Sequence, residues 1–238
     1  MYTVLGVIAR PLGMLIDLLY GFIGNYGITI IIFTLVVKLC LYPLYIKQTK
    51  STARMAEVQP KMQALQQKYA NDKETLNIKM SELYKEEKFN PMGGCLPMLI
   101  QMPIIMGLFA LLRNPMRYIS DDGMIFAYHE AFVWIKDLSQ PDPWILPIIA
   151  GVATFLSFTM NQALNDTGTA NNNQMEGMNR MMKYIFPIMI LWMARSFPSG
   201  LALYWAVSQI IQIGFNIHLS SIRKKMRAES DAKKKKKK

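Results

Sequence analysis

The chain is 238 residues long, 52% hydrophobic and basic, with 27 Lys and Arg against 16 Asp and Glu for a formal net charge of +11. Its apolar residues come in blocks too long for the core elements of one or two soluble domains, which excludes an ordinary soluble protein.

In chain order, residues 1–22 come first. Arg10 and Pro11 follow a short, weak apolar run with no small-residue cleavage site, so no cleavable signal peptide is expected. The segment reads as an amphipathic helix on the outer face, with Arg10 and Asp17 toward water; a truncated or processed start is the alternative. Apolar blocks then fall at about 23–46, 93–113, 144–164 and 199–219, each near the roughly 20 residues that cross a bilayer core, and a shorter one lies at 181–194. Pro, Gly or polar residues interrupt every block, which lipid tolerates only where neighbouring helices or water satisfy the loosened backbone. The expected fold is an all-α membrane protein of five transmembrane helices around a hydrophilic groove. Its spans are placed at 23–50, 93–113, 144–164, 181–195 and 196–219.

Lys and Arg set the orientation, because positive loops stay cytoplasmic. Nine Lys and Arg residues between Lys47 and Lys88, and the tail 220–238 ending in KKKKKK, belong inside. The loop 114–143 holds Asp121, Asp122, Glu130, Asp137 and Asp142 against Arg117 and Lys136, and belongs outside. The loop 165–180 returns to the cytoplasm. Cys40 and Cys95 lie in or beside spans near the cytoplasmic side, where thiols stay reduced, so no disulfide is expected.

The segment 51–92 reads as a cytoplasmic helical hairpin. Met55, Val58, Met62, Leu65 and Tyr69 form one stripe at steps of three and four, and Leu76, Met80 and Leu83 form another. Asn71 and Glu74 have capping-box spacing for the second helix. Pro60 predicts a kink or a fresh helix start. The hairpin mixes Lys with Glu and offers no basic patch for nucleic acid. The tail instead reads as a flexible cationic segment drawn to phosphate, whether of ribosomal RNA or of lipid.

Lys38 poses the sharpest question. It lies nine residues before the boundary residue Lys47, about 14 Å of helix, and a charge at that depth costs roughly 2.5–3.5 kcal/mol. No Asp or Glu occurs in the five spans, so water, dipoles or a transient acidic partner must compensate it. Other polar residues step by four: Thr34, Lys38 and Tyr42 on the first span, Tyr204, Ser208 and Gln212 on the last. Thr154, Ser157 and Asn161 make a third stripe, and Gln101 stands alone in the second span. If the stripes converge they enclose a wet cavity with one positive charge, whereas each residue singly suits an interhelical hydrogen bond. Met98, Met102, Met106, Met160, Met181, Met182, Met189 and Met193 are compatible with a surface that repacks around varied apolar segments, or with gap filling. The fourth span, near 14 residues, makes about 21 Å of helix and predicts local thinning of the bilayer or shelter by neighbours.

KFNPMGGCLPMLIQMPI at 88–104, FPSGLALYW at 197–205 and the lysine-bearing first span before YPLYIKQTKS closely resemble the YidC/Oxa/Alb family of membrane protein insertases, in the same order. QPKMQALQQKY at 59–69 is similar to that family's cytoplasmic hairpin. The resemblance covers about 20–222 and implies an intramembrane groove open to cytoplasm and lipid. It implies groove and client-contact roles for Thr34, Gln101, Tyr204 and Trp205 beside Lys38, with Ser208 on the same stripe. Family members commonly carry arginine at the position of Lys38; lysine keeps the charge without the planar fork, so long-range attraction is the expected role. The implied partners are nascent membrane proteins, the ribosome through tail and hairpin, a Sec translocon as a further candidate, and the lipid bilayer of a bacterial inner membrane. No cofactor or enzymatic activity is expected, since HExxH, GxSxG and GxxxxGK[ST] are absent. An anion-selective channel or small-solute transporter is the alternative.

Overall fold

The computed structural model describes residues 2–87, 96–113, 126–165, 177 and 180–236, and is mostly helical. Among the described residues, β structure is limited to one isolated bridge between Phe132 and Ile135. Helix α1 spans Tyr2–Ile23 and turns at Gly24, whose φ of 66° is left-handed backbone that glycine adopts without a steric penalty. Asn25 then caps α2, accepting from the Ile28 N–H at 3.0 Å. Helix α2, Tyr26–Lys68, runs for 43 residues through both the lysine-bearing span and the first arm of the hairpin.

Two expectations change here. Pro60 does not begin a new helix, because α2 continues through it. Val58, Met62 and Leu65 keep one register on either side of Pro60 and pack with Leu83, Met80 and Tyr84 of the second arm, which offsets the missing N–H bond. Helix α3, Lys73–Glu86, is capped by Asp72, which accepts from the Thr75 N–H at 3.0 Å. The expected Asn71–Glu74 box is thus displaced by one residue, since a start at Lys73 puts the Asp72 side chain over the first free N–H groups. Lys61 pairs with Glu87 across the hairpin.

Helix α4 spans Leu96–Arg113 with Pro103 inside it, and α5 spans Ile145–Asn165. A π-helical turn at Met181–Ile185 leads directly into α6, Phe186–Ala194. Helix α7, Ser199–Lys236, crosses the bundle and continues through most of the lysine run. The tail is therefore helical to Lys236, not a flexible segment: past Gly214 it contains neither Gly nor Pro, and its Lys, Arg, Ala and Glu are good helix formers. Cys95 and much of the loops 114–143 and 165–180 lie outside the described residues, as does Met98 in its side chain; Cys40 is a free, exposed thiol.

Among the described residues, four helices are by length and composition able to cross a membrane, within Gly6–Ile23, Tyr26–Arg54, Ile145–Ala163 and Ser199–Lys224; Gln101–Leu112 and Met181–Ala194 are shorter apolar helices. The first is α1, the segment expected as an outer-face amphipathic helix, and its length and composition are also those of a span. It buries Ala9 and Ile16 against its neighbours, but besides Arg10 it exposes Val7, Met14, Leu18 and Phe22, the last at 84%. Arg10 and Asp17, seven residues apart, share one side of it, between the buried face and the exposed apolar one.

Helix α7 packs between α2 and α5, α6 lies on α5, and α1 rests on α4 and α2. At the end where α2 and α7 begin, the core is apolar: Tyr26, Ile30 and Phe33 meet Leu108, Leu111 and Leu112, Leu146 and Ala150, Leu201 and Tyr204. The segment 126–144 closes this end. Glu130 accepts from the Tyr20 hydroxyl at 2.5 Å and the Tyr26 N–H at 2.8 Å, joining α1 to α2. The carbonyl of Gln140 accepts from both the N–H and the hydroxyl of Ser199, and the Leu138 carbonyl accepts from the Gly200 N–H, so the loop satisfies the first donors of α7. Outward, α5 presents Ile148, Val152 and Leu156, α6 presents Ile188, Met189 and Trp192, and α7 presents Ile210 and Ile217, the apolar faces expected to meet lipid.

Candidate functional site

Below the apolar core, toward the hairpin, the contacts of α7 with its neighbours become polar. Gln101 of α4 donates to the Tyr204 hydroxyl at 2.9 Å. The Trp205 indole N–H donates to Thr154 Oγ1 at 3.0 Å, while the Thr154 hydroxyl donates to the Ala150 carbonyl at 2.6 Å. These two pairs form a belt linking α4, α7 and α5. Ser208 is buried one turn farther along α7. Thr34 is fully buried, but its hydroxyl donates to the Ile30 carbonyl of its own helix at 2.6 Å, so its polarity is spent locally.

Lys38 lies one turn past Thr34 and is only 4% exposed. Its ammonium donates to the Tyr45 hydroxyl at 3.0 Å and to Gln212 Oε1 at 3.3 Å, and sits 5.1 Å from the centre of the Tyr45 ring. Of the compensations expected for it, dipoles are present: two neutral oxygens, one from α2 and one from α7, meet the charge. Tyr42, expected on this polar face, instead packs its ring on Phe215 and His218. Tyr45 was missed, although it follows Lys38 by seven residues, two helical turns, and so lies on the same face.

From Gln212 the polar contacts continue. Its amide nitrogen donates to Asn216 Oδ1 at 3.4 Å, and Asn216 donates to the Ser157 carbonyl at 3.5 Å. Lower still, Arg223 Nη2 donates to Asn161 Oδ1 at 3.1 Å. Asn216 extends the step of four from Tyr204 through Gln212, a signal present in the sequence. Arg223 was read as tail, yet it is buried within the α5–α7 contact. The structure therefore brings Lys38, Gln101, Tyr204, Trp205, Ser208, Gln212, Thr154, Ser157 and Asn161 onto one seam, and leaves Thr34 beside it.

The segment 126–144 contains a Ser–His–Asp group that the sequence reading did not single out. Ser139 Oγ and Asp137 Oδ2 lie 3.0 and 3.1 Å from His129 Nδ1. Both approach the same ring nitrogen, whereas a nucleophile relay uses the two nitrogens separately. This arrangement does not activate Ser139. Asp142 nearby accepts from the Trp134 indole and from the N–H groups of Trp144 and Leu146, fixing the start of α5.

A bundle of apolar helices split into an apolar half and a polar half, with a cation buried in the latter, defines a multi-spanning membrane protein with a polar seam between its helices. The family model described as "60Kd inner membrane protein" matches residues 18–228. Among curated proteins, the chain is 41% identical over 214 residues to a membrane protein insertase YidC of Fusobacterium nucleatum, covering 90% of this chain and 95% of that one. It is 41% identical over 207 residues to the YidC of Haemophilus influenzae strain PittEE and 38% identical over 214 residues to that of Ectopseudomonas mendocina, spanning about a third of each, 35% and 34%. A crystal structure of an active YidC insertase with its first transmembrane domain resolved is similar at a TM-score of 0.59 and 33% identity, over 87% of this chain and 45% of that one. The chain belongs to the 60Kd inner membrane protein family, that of the YidC insertases.

Proposed function

We infer that the protein is a membrane protein insertase whose polar seam receives hydrophobic nascent clients and eases their polar segments across the bilayer. The observation that carries this reading is Lys38: a cation deep in a span, held by neutral oxygens alone among the described residues. A purely structural helix contact would do better without it, because an ammonium removed from water and left without a counter-charge costs several kcal/mol. Attraction for an acidic client segment is the role that turns this cost to use, since charges interact more strongly there than in bulk water.

In this reading Gln101, Tyr204, Trp205 and Ser208 offer hydrogen bonds partway across, and Thr34 shapes the wall beside Lys38. The client's apolar helix passes along exposed Met102, Met106, Met189 and Met193 into lipid, driven by its own burial. The excess of Lys and Arg in the hairpin and tail supports a cytoplasmic position for both. There they are available to a ribosome.

The test is reconstitution into protein-free liposomes with one small client bearing an acidic translocated segment. Lys38→Arg should retain insertion, while Lys38→Ala and Lys38→Glu should lose about tenfold or more, as unit charges 4 Å apart at an effective dielectric near 20 interact by about 4 kcal/mol. Equal insertion by all three variants would remove the lysine from the mechanism.

A further inference from the structure

In the resting protein the charge proposed to attract clients is covered. Lys38 is 4% exposed, and its two polar partners are neutral groups, the Tyr45 hydroxyl and the Gln212 amide oxygen. Both are held in place. The Tyr45 ring packs on Phe215 of α7 with centroids 5.8 Å apart. The Gln212 amide nitrogen is engaged by Asn216, which itself donates to the Ser157 carbonyl of α5, so the Gln212 oxygen is the end left to face the ammonium. Three helices thus contribute to one cradle. Neutral oxygens can satisfy an ammonium's donors without neutralising its charge, and a carboxylate makes a stronger, charge-assisted bond to the same donors.

Resting on the insertase reading above, we propose that Tyr45 and Gln212 are positioning residues that store the Lys38 ammonium between clients, and that a client carboxylate takes it from them by displacement. A segment with only neutral oxygens gains nothing by displacing the cradle and passes without engaging the ammonium, so the cost of displacement falls on acidic segments alone. An acidic one wins. Tyr45 and Gln212 accordingly set how strongly acidic segments are preferred, and α2 and α7 are tied together through Lys38 until a client arrives.

The experiment uses the full chain in liposomes and two clients that differ only by Asp or Asn at one position of the translocated segment. The measured quantity is the Asp-to-Asn insertion ratio within each variant, which a general loss of stability would not move. Tyr45→Phe keeps the ring and its packing but removes one competing oxygen, and should raise the ratio by about fivefold. Gln212→Glu places a carboxylate in the cradle and should bring the ratio to about one, because the ammonium is then already paired. The two substitutions act in opposite directions, and each is sufficient if the other fails to fold. An unchanged or lowered ratio in Tyr45→Phe, or a retained preference in Gln212→Glu, overturns the cradle. Lys38→Met separates the two levels: a lost preference there with an unmoved Tyr45→Phe ratio leaves the charged-seam reading standing and rejects the cradle alone. A preference that survives Lys38→Met rejects both.

Discussion

Glu130 joins two helices through one carboxylate, accepting from the Tyr20 hydroxyl of α1 and from the first N–H of α2. A negative group at a helix N-terminus is favourable, and here it also meets donors that the helix itself cannot satisfy. Glu130→Gln keeps the shape and removes the charge, so it should lower stability by roughly 1–2 kcal/mol, read as a drop in the thermal midpoint in detergent micelles. Asp72 acts alike at the start of α3 but lies in water. The hydroxyl and N–H of Thr75 hold its carboxyl below the usual range. A folded-state value below the unfolded one means that its contribution is present at neutral pH and is lost as the pH falls through the folded value. Protection of the first-turn amides of α3, measured as exchange relative to the intrinsic rate at each pH, should therefore fall in acid, and Asp72→Asn should flatten that dependence.

At the scale of elements, close approach and register matter more than propensity. A Cβ on Gly27 would come within 2.2 Å of the Phe132 ring, which is part of the closing loop. Gly27→Ala must push that ring aside, and should cost about 1–3 kcal/mol of thermal stability. Pro60 is the converse, a poor helix residue kept inside a continuous helix. Pro60→Ala restores a backbone bond and should slow hydrogen exchange and proteolysis through the first hairpin arm. Faster cleavage there would mean that the proline relieves strain in α2. The short helix α6 meets its length deficit by continuing the π turn before it and by lying on α5, where a Cβ on Gly151 would sit 3.2 Å from the Leu191 side chain.

Across the whole molecule, the two hydrophobic clusters are unequal. The bundle core draws on α1, α2, α4, α5, α6, α7 and the closing loop, whereas the hairpin cluster consists of Val58, Met62 and Leu83 with three half-buried neighbours. Removing residues 55–86 with a short bridging linker should therefore shift the thermal midpoint of the bundle by only about 2–4 °C. If the hairpin receives clients, insertion in liposomes should fall much further. Loss of folding with no separate loss of insertion would reduce the hairpin to a structural part.

Membrane residence and the helical class were legible in the sequence, because each depends on local quantities: the length of an apolar block and a period of three to four. Even the four-residue step from Tyr204 to Gln212 points to a polar side of α7. The partners of those residues were not legible. Whether Tyr42 or Tyr45 reaches the ammonium, whether Thr34 turns to the seam or to its own backbone, and whether Arg223 belongs to the tail or to the bundle all depend on how α2, α5 and α7 are rotated and offset against one another. That geometry arises from packing between helices far apart in the chain, so only the tertiary structure decided that the buried charge is covered by neutral oxygens instead of standing open.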